Sequence, residues 1–259
     1  METLSTLSLG ILQGSTEFLP ISSSGHLVLA QAILQIQSPG VLVEVVLHLG
    51  TLLSVVLYFR RDLWRLVWDF FRSGVDGSSS RREVGYLLVA TLPAVAVALT
   101  LNDVVERAFE DARFTGWMLM VTTVVLLSTR WVHPKEGDRL TWYSAFIIGV
   151  AQAVAILPGI SRSGITIAAG LWLGLKGAEA ARFAFLMSIP AILGAGLFKV
   201  PDLLAEPSYS VPGLLWGFLA AALVGYLVIA WLMGILRRGR LYFFAGYTFL
   251  IALMVIFWL

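Results

Sequence analysis

Residues 13–26 read QGSTEFLPISSSGH, and this polar stretch lies between two apolar segments. It holds a carboxamide, a carboxylate, a run of three serines and a histidine. The rest of the chain is apolar, because 58% of its 259 residues are hydrophobic and only 13% are charged. Uncharged runs such as 86–101 and 214–236 are typical of transmembrane helices. The sequence therefore predicts an integral membrane protein.

A second, shorter polar stretch repeats part of the first. The letters ISSSG at 21–25 return as ISRSG at 160–164, which lies 139 residues later. Gln13 and Gln152 are separated by the same offset. Several matches at one offset indicate two structural repeats, as in many membrane transporters.

The predicted fold is an all-α polytopic membrane protein with two inverted-topology repeats, 1–132 and 140–259, joined by a short cytoplasmic loop. Each repeat is expected to contain a re-entrant helical hairpin, because the segments beside the polar stretches are too short to span a bilayer. Three transmembrane helices follow each hairpin, and this odd number of crossings inverts the second repeat. The expected hairpins are 1–37 and 140–175, and the six expected spans are 41–59, 85–102, 114–132, 179–198, 212–236 and 241–259.

The distribution of basic residues predicts the orientation. Loops 60–84, 130–139 and 237–240 hold 12 Lys and Arg residues, whereas loops 102–113 and 199–211 hold 3. Basic residues accumulate in cytoplasmic loops, so the first set is expected inside the cell. We therefore expect a multi-pass protein of the cell (inner, cytoplasmic) membrane with both termini external. The first hairpin then opens to the outer, periplasmic side.

The two polar tips are expected to meet near the middle of the membrane, where polar groups are costly and indicate a functional site. The second tip, 157–166, reads LPGISRSGIT. Its Arg162 provides a planar fork of donors that suits a phosphate group. Gly25 and Gly164 allow the backbone N–H groups at a helix start to approach an anion. The tips therefore predict a phosphate-binding site.

The first tip adds groups for chemistry. Glu17, together with the carbonyl oxygen of Gln13, can hold a hard divalent cation such as Mg²⁺ or Ca²⁺. A serine close to His26 supplies a nucleophile and a partner for proton transfer. The combination predicts phosphoryl transfer or hydrolysis on a phosphate carried by a lipid.

Simpler interpretations exist for several of these residues. Arg162 can act as an ion-pair partner that neutralises Glu17 in the membrane. His48 is interpreted as a buried packing residue, and Glu44 as a group that faces the lipid headgroups. Arg182 is interpreted as a basic anchor beside a transmembrane helix.

The motifs in residues 13–26 and 157–164 resemble the undecaprenyl-diphosphate phosphatase family, the bacitracin-resistance type of integral membrane phosphatase. The resemblance runs nearly the full length of the chain. It implies hydrolysis of undecaprenyl diphosphate to undecaprenyl phosphate and inorganic phosphate. This reaction recycles the lipid carrier of peptidoglycan synthesis and confers bacitracin resistance. The family fold has six spanning helices and two inverted re-entrant hairpins.

The resemblance also implies roles for single residues. The family has Glu or Gln at the position of Gln13, so the Gln here leaves Glu17 as the one charged member of the expected metal pair. The nucleophile stays open between a serine, His26 and a water molecule. The expected catalytic residues are Glu17, Ser23, His26 and Arg162. The expected substrate-binding residues are Gln13, Ser22, Ser24, Gly25, Ser161, Ser163, Gly164 and Thr166.

Two other classes of function compete with the phosphatase. A flippase or transporter of polyprenyl phosphate would use the same midplane site, since inverted repeats with broken helices are typical of secondary transporters. A structural membrane protein would leave the polar tips without a role. The expected partners are a polyprenyl diphosphate and membrane lipids, with no nucleic acid. The oligomeric state is left open, with a homodimer as one option.

Overall fold

The protein is described by a computed structural model, and its regular structure is helical. The residues described are 3–34, 41–72, 74–132, 140–198, 211–237 and 240–258. The predicted end of the first hairpin (35–37), the linker between the repeats (133–139), most of the loop 199–211 and the two chain ends lie outside these residues. Short 3₁₀ turns occur at Thr129–Trp131 and Leu241–Phe243. The α-helices are α1 (Thr3–Thr16), α2 (Ser23–Leu34), α3 (Val41–Tyr58), α4 (Arg60–Phe70), α5 (Val75–Thr100), α6 (Asn102–Glu110), α7 (Ala112–Ser128), α8 (Trp142–Val154), α9 (Arg162–Trp172), α10 (Gly177–Phe198), α11 (Val211–Leu236) and α12 (Phe244–Trp258).

Long apolar helices dominate the fold. A helix of 26 residues, such as α5 or α11, is about 39 Å long, which exceeds the roughly 30 Å of a bilayer core. Helices α3 and α4 meet at a bend of 73°, and together they would form a further candidate membrane span if they cross the membrane as one broken helix. The chain is therefore a multi-pass helical membrane protein, as the sequence predicts. Within the residues described, five segments are long and apolar enough to cross a membrane: Gly77–Thr100, Ala112–Trp131, Gly177–Leu197, Val211–Leu236 and Leu241–Trp258.

The expectation that 60–84 forms a loop is wrong for most of that segment. Residues 60–70 form α4, and α5 begins at Val75, ten residues before the predicted span at 85–102. The reason is that an amphipathic helix carries polar residues on one face while it buries apolar residues on the other, so polar residues do not by themselves indicate a loop. Leu66 of α4 is buried, whereas Trp64 on another side of the same helix is 69% exposed. The predicted loop at 102–113 likewise contains α6.

Arg182 is part of an ion-pair network and not merely a flanking anchor. Its Nε atom donates a hydrogen bond of 2.8 Å to Oδ1 of Asp62, and its Nη1 atom donates to Oε1 of Glu83. The three residues lie on α10, α4 and α5. The network therefore joins the short helix after α3 to two long helices.

Glycines let the short helices α1 and α8 pack closely on the long helices α11 and α5. A Cβ atom at Gly10 of α1 would lie 2.3 Å from the carbonyl oxygen of Gly217 on α11. A Cβ atom at Gly149 of α8 would lie 2.4 Å from the carbonyl oxygen of Ala90 on α5. No real side chain tolerates such distances, so both contacts require glycine. Close backbone packing of this kind is typical of membrane helices.

The largest buried cluster lies directly behind the polar tips. Phe18, which follows Glu17, is 1% exposed and packs edge-on against Phe185 of α10, with 5.6 Å between ring centroids. Ile167 of α9 is fully buried in the same cluster. Both tips are therefore supported by the same core, which fixes their relative position.

Candidate active site

The first tip, residues 13–26, includes the non-helical connection between α1 and α2. Helix α1 ends at Thr16 and α2 begins at Ser23, so only six residues separate them. The backbone N–H of Glu17 still donates to the carbonyl of Gln13, which extends the helical turn to the carboxylate. Ser22 has a φ of 66°, a left-handed conformation that costs a non-glycine residue about 1 kcal/mol. Strain of this kind is often stored at functional sites.

The second tip connects α8 and α9 and is tied to α7. Gly159 has a φ of 91°, and a Cβ atom there would lie 2.3 Å from the carbonyl oxygen of Thr115, so glycine is required. The hydroxyl of Thr122 donates to the carbonyl of Gly159 at 2.9 Å and accepts from the backbone N–H of Ser161 at 3.0 Å. These bonds hold the start of α9 in place, and Arg162 is its first residue.

The two tips meet at an ion pair. A guanidinium nitrogen of Arg162 donates to Oε1 of Glu17. The other carboxylate oxygen, Oε2, accepts from the hydroxyl of Ser23 at 2.8 Å and from Nε2 of Gln13 at 2.9 Å. The hydroxyl of Ser163 donates to the carbonyl of Leu19 at 2.9 Å, which adds a second link between the tips. The structure therefore brings Glu17, Ser23 and Arg162 together, although 145 residues separate the ion-pair partners in sequence.

An open cavity of about 320 Å³ lies in front of this ion pair. Its polar lining residues suit a phosphate group, and its apolar lining residues suit a hydrocarbon chain. Phe109 of α6 also lines it. The polar lining residues are Glu17, Ser22, Ser23, Ser24, Glu44, His48, Ser161 and Arg162; the apolar ones include Val45, Leu49, Ile156, Ile160, Ala191, Ile192 and Ala195.

Glu44 and His48 line this cavity, which the sequence analysis did not predict. The Nε2 atom of His48 lies 3.8 Å from Oε2 of Glu17, and its Nδ1 atom is 2.8 Å from the carbonyl oxygen of Glu44. The two residues are four positions apart on α3 and therefore share one face. That shared polar face inside an apolar helix is the signal that could have identified them.

His26 lies elsewhere. Its Nδ1 atom is 2.8 Å from the carbonyl oxygen of Ser22, and its Nε2 atom is 2.7 Å from the hydroxyl of Tyr247 on α12. The ring also stacks on Tyr247, with 5.6 Å between centroids. His26 is 8% exposed and is not among the residues that line the cavity. The structure thus leaves the predicted role of His26 in proton transfer without support from its contacts.

The glycine N–H groups predicted to bind phosphate have serine partners. The N–H of Gly25 donates to the hydroxyl of Ser22 at 3.2 Å, and that of Gly164 donates to the hydroxyl of Ser161 at 3.1 Å. Each serine is placed as an N-cap, which satisfies a free donor at a helix start. A phosphate at these two donors would have to displace the caps.

The remaining predicted residues lie behind the ion pair. Thr166 is 1% exposed, and its hydroxyl donates to the carbonyl of Arg162 at 2.7 Å. Gln13 is fully buried, and its Oε1 atom has no hydrogen-bond partner. Ser163 contacts the first tip as described above. These three residues support the tips rather than line the cavity.

A divalent cation has few protein ligands here. Both oxygens of Glu17 already have partners, and the free Oε1 of Gln13 is neutral. Among the residues that the structure describes, no cluster of three His, Cys, Asp or Glu side chains suits a metal. The protein alone therefore fits a dedicated Mg²⁺ or Ca²⁺ site poorly.

The chain is similar in sequence to known proteins over nearly its whole length. An undecaprenyl-diphosphatase from Korarchaeum cryptofilum (strain OPF8) is 40% identical over 266 residues, which cover 99% of each chain. One from Syntrophotalea carbinolica is 42% identical over 253 residues, 96% of each chain. One from Methanobrevibacter smithii is 38% identical over 269 residues, 98% of this chain and 97% of its own. The sequence profile described as bacitracin resistance protein BacA matches residues 6–254. The chain belongs to the BacA family of bacitracin resistance proteins.

Proposed function

We propose that the protein hydrolyses undecaprenyl diphosphate to undecaprenyl phosphate and inorganic phosphate. The observation that carries this proposal is the cavity, which joins Arg162, Glu17 and Ser23 to an apolar wall. The names of the similar proteins support it. In the cell the reaction would recycle the lipid carrier of peptidoglycan synthesis and confer resistance to bacitracin.

Arg162 binds the substrate in this proposal. Its guanidinium group has more donors than the contact with Glu17 uses, so it can hold oxygens of the terminal phosphate as well. Ser24 and Ser161 also line the cavity. The prenyl chain extends along the apolar wall. Phosphoryl transfer depends mainly on positioning and charge neutralisation, which this arrangement supplies.

Ser23 is the nucleophile in this proposal. Its hydroxyl already donates to Oε2 of Glu17 at 2.8 Å, within the reach expected of a general base. The Oγ atom bonds to the terminal phosphorus while its proton moves to Glu17. The bond from that phosphorus to the bridging oxygen breaks, and the proton passes to this oxygen as undecaprenyl phosphate leaves. Water then attacks the phosphoserine, gives one proton through Glu17 to the oxygen of Ser23, and releases inorganic phosphate.

We also propose that the chain consists of two inverted repeats, each of which contains a re-entrant hairpin. Helices α1 and α8 begin at Thr3 and Trp142, and α2 and α9 begin at Ser23 and Arg162. Both pairs of starts are 139 residues apart, the offset of the sequence matches. The lengths of α1 and α8, 14 and 13 residues, support hairpins that do not cross the bilayer.

We predict that α4 and α6 lie on opposite sides of the cell membrane, with the cavity open to the outer side. The basis is the excess of basic residues in segment 60–84 over 102–113. The chain has no cysteine, so Arg61→Cys and Arg107→Cys, both at exposed positions, can each be labelled alone. An impermeant maleimide should label the second variant in intact cells and the first only after permeabilisation. Labelling of both from one side would contradict the topology.

The requirement for Mg²⁺ or Ca²⁺ stays a prediction. When bound, such a cation would neutralise charge on the diphosphate oxygens, and Gln13 Oε1, which has no hydrogen-bond partner, would be its protein ligand. Because the protein supplies few ligands, the diphosphate itself should hold most of the ion. We expect EDTA to abolish phosphate release and added Mg²⁺ or Ca²⁺ to restore it. Full phosphate release in EDTA would contradict the requirement.

One experiment separates the phosphatase from the flippase. Purified protein in detergent receives undecaprenyl diphosphate, and inorganic phosphate is measured over time. A phosphatase releases phosphate without any membrane to cross. A flippase releases none in detergent but moves polyprenyl phosphate between the leaflets of liposomes. Phosphate release that is faster than in a protein-free control supports the proposal. A folded sample that releases no phosphate contradicts it.

A further inference from the structure

Among the histidines that the structure describes, His48 is the one that lines the cavity. It lies on α3 with its side chain 36% exposed, and its Nε2 atom is 3.8 Å from Oε2 of Glu17. The same oxygen accepts from the hydroxyl of Ser23, the proposed nucleophile. His48 and Ser23 are therefore both close to one carboxylate oxygen, and both residues line the cavity.

The contact of the other ring nitrogen, Nδ1, determines whether Nε2 of His48 donates or accepts a hydrogen bond. Nδ1 of His48 is 2.8 Å from the carbonyl oxygen of Glu44, and a carbonyl oxygen only accepts hydrogen bonds. Nδ1 must therefore carry the hydrogen. In the neutral ring, Nε2 is then an acceptor. It faces the cavity beside a second acceptor, Glu17 Oε2, and a pair of acceptors binds a molecule that donates two hydrogen bonds.

The contacts of His26 are different, and its predicted role in proton transfer stays a prediction. The carbonyl of Ser22 accepts from Nδ1, so Nε2 accepts from the hydroxyl of Tyr247. Both nitrogens are therefore used within the protein. His48, in contrast, is among the residues that line the cavity.

We propose that His48 orients the water molecule that attacks the phosphoserine, by accepting a hydrogen bond from it at Nε2. Glu17 Oε2 accepts the other, because Ser23 no longer donates to this oxygen once its hydroxyl is phosphorylated. This inference rests on the proposed function, because it assigns a role in that reaction. The role is that of an acceptor, so a side chain with an oxygen at the same reach should replace it. Glutamine places its Oε1 atom near the position of a histidine Nε2 atom, whereas leucine offers no acceptor and asparagine is too short.

The test compares four variants by their kcat and KM for undecaprenyl diphosphate. His48→Leu should lower kcat by about 10- to 100-fold, the effect of losing one hydrogen bond to a buried reacting group. The ratio kcat/KM should change by less than about threefold, because the water acts after the phosphoryl group has moved to Ser23, and KM should therefore fall together with kcat. His48→Gln should keep kcat within about fivefold of the wild type. His48→Asn should resemble His48→Leu and serves if the leucine variant does not fold.

Thr51→Val is the matched control. Thr51 is fully buried on the same helix, its hydroxyl donates to the carbonyl of His48 at 2.9 Å, and it does not line the cavity. This variant should keep the wild-type kcat. A wild-type kcat in folded His48→Leu would overturn the inference, and so would a His48→Gln variant as impaired as His48→Leu. Absence of phosphate release by the wild type would instead overturn the proposed function, and this inference with it.

Discussion

Arg162→Ala is expected to lower kcat for phosphate release by about 10³-fold or more, by analogy with the removal of an arginine that stabilises a phosphoryl-transfer transition state. Arg162 is the cationic residue among those lining the cavity. Negative charge on the phosphate oxygens would then lose the guanidinium group that neutralises it. The measurement is kcat with undecaprenyl diphosphate, with Arg130→Ala as a control arginine outside the cavity.

The ion pair makes a second variant necessary. The side chain of Glu17 is only 4% exposed. Alanine at position 162 removes the cation that pairs with this buried carboxylate. A buried charge without a partner can cost about 3–5 kcal/mol of stability. Arg162→Lys keeps the charge but not the planar fork, so it should fold and still lose much of its kcat. A folded Arg162→Lys or Arg162→Ala variant with wild-type kcat would contradict the assignment.

Ser23→Ala is expected to lower kcat by about 10³-fold or more, since removing a nucleophile costs far more than removing an ordinary hydrogen bond. The wild type should also form a phosphoserine at this position, which mass spectrometry of a rapidly quenched reaction can locate. The hydroxyl of Ser15 donates to the carbonyl of Ile11 at 2.7 Å and does not line the cavity, so Ser15→Ala is the matched control. A phosphorylated Ser22, Ser24 or His26, or an active Ser23→Ala variant, would contradict the choice of nucleophile.

The helical membrane fold could be predicted from the sequence because long apolar runs have few alternatives in a bilayer. The helix at the start of 60–84 was missed because the segment was judged by its composition, in which Arg and Asp residues are interspersed with Trp64, Leu66 and Trp68. Composition alone reads such a segment as a loop. Helical periodicity would have separated the buried Leu66 from the exposed faces.

The meeting of the two polar tips was predictable from their shared motif, but their hydrogen bonds were not. Whether Gly25 and Gly164 present free N–H groups depends on the rotamers of Ser22 and Ser161, which act as caps. The sequence pattern ISxSG is compatible with either arrangement.

The position of His48 was the main feature that the sequence analysis missed. Its distance from Glu17 depends on how α3 packs beside the first tip, which no local pattern determines. The motif instead drew attention to His26, which is adjacent to the serines in sequence but bonds to Tyr247 on α12. Proximity in the chain was thus a poor guide to proximity in the cavity.

The central claim is that both tips form one catalytic site, and a double-mutant cycle on phosphate release tests it most directly. Wild type, Ser23→Ala, Arg162→Lys and the double variant are assayed with undecaprenyl diphosphate. If both residues act in one step, the double variant should lose much less than the product of the two single effects. Strictly multiplicative losses, or no phosphate release by the wild type, would contradict a single site built from the two tips.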